Sequence, residues 1–184
     1  MGRAGIITVG LMTWGVMSGH PGHSSTSVGP TATHTTASVP ASDTARFRLV
    51  LHGPVRSCLR LLPRVQAEAR TLRATLTTGS NGAQGTGTLL DDARALGHTC
   101  VGAETRVLAL RFPPGRAHDL ARRAQRVLAH ALWSMALGGD YAVAAVELTE
   151  QDIDWSAQQQ IVQGIEAFQT AHAELSTARA LLHF

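Results

Sequence analysis

The chain of 184 residues has no lysine, little aromatic surface and only two cysteines. All sixteen basic residues are arginine, so the Gly-Lys-Ser/Thr end of a phosphate-binding P-loop is missing from the glycine-rich stretch at 79–87. Cys58 and Cys100 are too few for a complete zinc site or a disulfide framework. No apolar run reaches the roughly 20 residues of a transmembrane helix. These absences exclude several common classes of nucleotide-binding, zinc-binding and membrane-spanning protein.

Catalytic patterns are missing as well. The sequence contains no Gly-x-Ser-x-Gly, no His-Glu-x-x-His and no Glu-x-x-His, which removes the usual signs of a serine hydrolase, a zinc peptidase and a di-metal bundle. Among the histidines in helical patterns, His172 lies beside the core position Ala171 and could approach His130, so this pair is the candidate for a metal or haem. We therefore expect a protein without enzymatic activity, cofactor or metal site.

The first 45 residues differ in composition from the rest. Residues 1–17 hold one arginine followed by an apolar run that has the length of a signal-peptide core, although it contains three glycines in that run. Residues 18–45 are rich in Ser, Thr, Pro and His without apolar periodicity, which predicts a disordered linker. A helical domain is predicted over 46–184.

Apolar residues repeat at alternating steps of three and four in four segments, which is the pattern of amphipathic helices in a bundle. The predicted helices span 54–78, 87–111, 116–137 and 156–183, and together they predict an all-α, up-down four-helix bundle. The seams are Val55–Cys58–Leu62–Val65–Ala69–Leu72–Leu76, Leu89–Ala93–Leu96–Cys100–Ala103–Val107–Leu110, Leu120–Ala124–Val127–Ala131–Met135 and Ala157–Ile161–Gly164–Phe168–Ala171–Leu175–Ala178–Leu182.

Local signals set the predicted helix ends. Pro54 suits the first turn of the first helix, and Pro63 should kink it. Gly138 and Gly139 are expected to end the third helix with a left-handed cap. Ser156 followed by Gln159 has the spacing of a capping box for the fourth.

An alternative architecture is a small α/β sandwich. The segments 46–52 and 141–149 have the alternation and β-branched content of strands, and 105–112 would join them. The unbroken apolar repeat through 105–112 and the alanines of 141–149 favour the helical interpretation.

Pairing of the two cysteines is an open question at this level. An antiparallel hairpin centred near residue 83 would offset Cys58 and Cys100 by roughly 10 Å along the helix axes. A disulfide needs Cα atoms within about 7 Å, so this register argues against the bond.

Charge is divided along the chain. Residues 46–126 hold fourteen arginines against five acids, whereas residues 127–184 hold one arginine against seven acids. Basic helices packed beside an acidic one would explain the division, and a nucleic-acid surface is the alternative. Aromatic residues are not interleaved with the arginines, which gives base stacking little support. The candidate interaction surface consists of Arg56, Arg60, Arg64, Arg116, Arg122, Arg123 and Arg126.

Two resemblances follow from these residues. Gly139-Asp-Tyr, with Ala144 and Leu148 after it, resembles the turn and second helix of a tetratricopeptide repeat, but no second copy follows at the required interval. The arginine-only, alanine-rich composition resembles that of small helical proteins of high-GC bacteria. That resemblance is compositional and implies no activity.

The expected function is a non-catalytic helical interaction module that binds a protein partner or self-associates. A nucleic-acid-associated regulator using the arginine-rich helices and an exported bundle holding haem or lipid are the alternatives. No stable membrane span is expected. A cytoplasmic location is slightly favoured, with export through residues 1–17 as the alternative.

Overall fold

The computed structural model describes residues 39–79 and 86–182, and these residues form an all-α bundle. Throughout the described residues there is no strand, so the predicted four-helix bundle is confirmed and the α/β alternative is wrong. The predicted segment at 1–17 and most of the predicted linker lie outside the described residues.

The helices are α1 (Ala41–Val50), α2 (Arg56–Thr78), α3 (Thr86–Leu108), α4 (Asp119–Glu150) and α5 (Asp154–Leu182), with a π-helical turn at Leu51–Val55 and a 3-10 turn at Arg116–His118.

The four long helices follow one another around the bundle. α4 forms the most extensive interfaces, with α5 on one side and α3 on the other, while α2 completes the ring by packing on α3 and α5. α2 and α4 are diagonal partners with little direct contact. This is the up-down arrangement that short connections between antiparallel helices favour.

The predicted apolar seams form the core. In α5 every seam position is buried, and in α3 every position within the helix is buried. The third predicted seam is only partly right, because Leu120 and Val127 are half-buried while Leu128 and Leu132 are fully enclosed. α4 buries more than a narrow stripe because it packs against two long helices at once.

The glycine pair Gly138–Gly139 does not end a helix, contrary to the sequence prediction. α4 continues through both residues to Glu150, and the tetratricopeptide-like turn at this point is therefore absent. A Cβ atom at Gly138 would lie 2.5 Å from Cε1 of Phe168 on α5, and one at Gly139 would lie 2.9 Å from the backbone oxygen of Ala93 on α3. The glycines let both neighbouring helices approach α4 closely.

The folded region begins earlier than predicted. α1 starts at Ala41, inside the stretch predicted to be disordered, and it is anchored by Asp43, which is 1% exposed and accepts a 2.6 Å hydrogen bond from Nδ1 of His118. Phe47 of α1 is fully buried and stacks on Phe112, with ring centroids 5.3 Å apart. Single buried contacts of this kind leave no periodic signal in the sequence. Composition alone therefore predicts that residues 41–45 belong to the linker.

Two further predicted helix starts are also wrong. Pro54 lies inside the π-helical turn rather than at the first turn of a helix; the wider turn accommodates a residue without an N–H group. α5 begins at Asp154, so Ser156 lies within the helix and is not its cap. An acidic residue in the first turn interacts favourably with the helix dipole in place of a capping box.

The register of α2 against α3 corrects the expectation about the cysteines. Cys58 and Cys100 form a disulfide, with Cα atoms 5.1 Å apart and both residues fully buried. In this pair, as in the Arg64–Asp92 ion pair, the midpoint between the two residue numbers lies at or next to Gly79 and not at residue 83. Gly79 ends α2 in the left-handed conformation at φ 64°, so the last turn of α2 extends beyond the first turn of α3. A hairpin centred near residue 83 would apply only if the loop were shared equally between the two helices.

None of the helices described here combines the length and apolar character that crossing a bilayer requires.

A candidate ligand groove and the arginine surface

A groove lies between α1, the start of α2 and the end of α5. Its volume is about 500 Å³, within the usual size range of small-molecule sites. The floor is apolar and includes the fully buried side chains of Phe47 and Val55. The other apolar lining residues are Leu51, Leu59 and Leu182, and Thr44 contributes a hydroxyl group.

Three arginines and a histidine surround this apolar floor. Arg48, His52, Arg56 and Arg179 all line the groove, and all four residues are exposed. No carboxylate belongs to its described lining. An apolar floor with a rim of one charge sign matches a ligand that has an anionic head and an apolar body.

The structure separates the seven arginines of the predicted interaction surface. Only Arg56 belongs to the groove, and Arg60 lies one turn further along α2, where its Nη2 is 3.5 Å from Oγ of Ser57. Arg64 faces α3, because its Nε lies 2.6 Å from Oδ2 of Asp92 as well as 3.3 Å from Oε1 of Glu68.

The other four arginines lie at the start of α4. Arg122 is tied down locally, since it donates to the backbone oxygens of Pro113 and Gly115 and pairs with Asp119. Arg116 in the 3-10 turn, with Arg123 and Arg126 on α4, is exposed. Because α2 and α4 are diagonal in the bundle, the two sets do not form a single stripe.

Sequence reasoning did not identify Arg48, His52 or Arg179 as residues of the groove. Arg48, His52 and Arg179 come from α1, the π-helical turn and α5, so their proximity depends on tertiary packing. For Arg48 and His52 the only signal is the small number of acids near them in the sequence, whereas Arg179 lies in the acidic segment 127–184 and has no such signal.

The histidine pair considered for a metal or haem is not assembled. Nδ1 of His130 hydrogen-bonds to Oε1 of Glu174 on α5, whereas Nε2 of His172 lies 3.2 Å from Oε1 of Gln66 on α2. Glu174 and His172 are two residues apart on α5 and therefore point in different directions. Over the described ranges, no group of three or more His, Cys, Asp or Glu side chains is placed to hold a metal ion.

A buried serine near His130 has the wrong geometry for a nucleophile. Oγ of Ser134 lies 3.4 Å from Oε2 of Glu174, and Nδ1 of His130 binds the other oxygen of the same carboxylate. The carboxylate therefore stands between the hydroxyl group and the imidazole. A histidine base would need to contact the hydroxyl directly. The cluster joins α4 to α5 and brings no serine–histidine pair together.

Comparison with known proteins gives no match for this chain, whether the comparison is with family models, curated proteins or solved structures.

Proposed function

We propose that this protein is a non-catalytic helical bundle that binds a single-chain amphipathic anion, such as a long-chain carboxylate, in the groove between α1, α2 and α5. The observation that carries the proposal is the combination of an apolar floor with three arginines, His52 and no described carboxylate in the lining. The ligand's anionic head would accept charge-assisted hydrogen bonds from Arg56 and Arg179, and its chain would cover Val55 and Leu59.

This role corresponds to the exported ligand-binding bundle among the alternatives from the sequence. The buried disulfide between Cys58 and Cys100 supports an exported form, because disulfides persist mainly in oxidising compartments. Binding of a protein partner, self-association and a nucleic-acid role stay predictions. No contact or groove in the described residues favours any of them as specifically as this groove favours an amphipathic anion.

Titration with a fluorescent long-chain carboxylate tests the proposal. We expect saturable binding that unlabelled hexadecanoate displaces and that hexadecanol displaces much less well, because the alcohol lacks the charge. The variant Arg56→Gln/Arg179→Gln should bind the carboxylate roughly tenfold to a hundredfold more weakly, as expected for the loss of charge-assisted hydrogen bonds.

The matched control is Arg70→Gln/Arg73→Gln. Both residues are exposed arginines on α2 outside the groove, so the control makes the same charge change without touching the lining. Equal displacement by the acid and the alcohol, or equal weakening in both double variants, would contradict the proposal.

A further inference from the structure

The bundle carries its positive charge mainly at one end. We define the basic end as the region where α1, the α3–α4 connection and the start of α4 meet. Arg48 of the groove rim lies at this end, and the exposed arginines there that do not line the groove are Arg46, Arg111, Arg116, Arg123 and Arg126. The opposite end, where α4 turns into α5, exposes Glu147, Glu150, Asp152 and Asp154. The arginines and the acids, which are separated along the sequence, therefore also lie mainly at opposite ends of the bundle.

Neighbouring acids leave most of this positive charge uncompensated. Asp43 is buried against His118, and Asp119 is paired with Arg122. Glu104, one turn before the end of α3, is the further acid near this end. The basic end consequently presents a surface of one sign, which attracts polyanions and anionic lipid over distances of about a Debye length.

Exposed aliphatic side chains lie on the same end. Leu49 on α1 is 82% exposed, next to Arg48, and Leu108 at the end of α3 is 48% exposed. Leucines among arginines suit an anionic bilayer, where the cations meet the headgroups and the apolar side chains enter the acyl boundary. A nucleic acid would gain nothing from burying these leucines, and Phe112 at this end is half-buried and stacked on Phe47, so its ring is not free to stack on a base.

We infer that the basic end docks on the surface of an anionic lipid bilayer. The same end carries the groove rim through Arg48, so docking places the groove next to a source of single-chain amphipathic anions. The purpose of docking rests on the proposed function, but docking is tested through residues outside the groove and is measured separately.

Sedimentation with phospholipid vesicles tests the inference on the full chain. We expect binding to phosphatidylcholine vesicles that contain about one-third phosphatidylglycerol, little binding to phosphatidylcholine alone, and release as salt is raised. Arg116→Gln/Arg123→Gln should weaken partitioning about tenfold or more, at about 1 kcal/mol per arginine near the surface. The control Arg70→Gln/Arg73→Gln, with the same charge change elsewhere on the bundle, should bind as the parent does.

A second variant separates a bilayer from a nucleic acid. Leu49→Gln should weaken vesicle binding by about tenfold without changing the charge, because a leucine that enters the bilayer contributes through burial. Val101→Gln, at a half-exposed valine on α3, is its control. The protein could retain double-stranded DNA while Leu49→Gln weakened neither this retention nor vesicle binding. That result would overturn the inference in favour of a nucleic-acid surface.

The two proposals fail separately. Loss of vesicle binding with intact carboxylate titration would leave the groove as a site for a ligand delivered from solution and would overturn docking. Vesicle binding that responds to both variants, with no saturable carboxylate binding, would support docking and contradict the proposed function.

Discussion

Replacement of both cysteines, as Cys58→Ala/Cys100→Ala, is expected to lower the free energy of unfolding by about 4 kcal/mol. The bond closes a loop between positions 42 residues apart, and in the chain-entropy model a loop of that length restricts the unfolded chain by about this amount. For a domain of this size, such a loss corresponds to a fall in Tm of about 8–16 °C. Alanine is the appropriate replacement because both side chains are fully buried and a serine would introduce an unpaired hydroxyl group.

Thermal unfolding followed by circular dichroism measures the effect. Addition of a thiol reductant should lower the Tm of the parent towards that of the double variant and should leave the double variant unchanged. The bond does not form if reductant under denaturing conditions leaves the Tm of the parent unchanged and that Tm equals the Tm of the double variant.

The disulfide also shows what the sequence could determine. The seams placed Cys58 and Cys100 correctly in the core, because a repeat of three and four residues reports which face of a helix is buried. The same repeat does not report how far one helix is displaced along its neighbour. That displacement depends on where α2 ends, at Gly79, and on how the following loop returns, and neither is a periodic property.

The candidate groove was beyond sequence reasoning for a related physical reason. Arg56 belongs to the predicted interaction surface, but Arg48 and Arg179 join it only because α1 and the end of α5 both border the groove at the start of α2. α1 itself has no apolar stripe to reveal it, since it is held by Phe47, Val50 and the Asp43–His118 hydrogen bond. Periodicity predicts the long helices well and short anchored segments poorly.

Two helical glycines, Gly139 on α4 and Gly102 on α3, should respond to the same substitution with stability changes of opposite sign. Gly139→Ala should lower the free energy of unfolding by about 2 kcal/mol, because the new Cβ would meet the backbone oxygen of Ala93 and force α3 away from α4. Gly102→Ala, also within a helix but with open space around its Cβ, should raise it by roughly 0.5–1 kcal/mol through helix propensity alone.

Urea unfolding of the two variants beside the parent gives both values under the same conditions. Gly139→Val should destabilise further than Gly139→Ala, to about 3 kcal/mol or more, since a branched side chain needs a larger separation of the helices. At Gly102 the valine variant should stay close to the parent. Stabilisation by alanine at both glycines would mean that α3 and α4 are not in close contact at Gly139. Destabilisation confined to position 139 would identify the glycine as a packing residue, since helix propensity is the same at both sites.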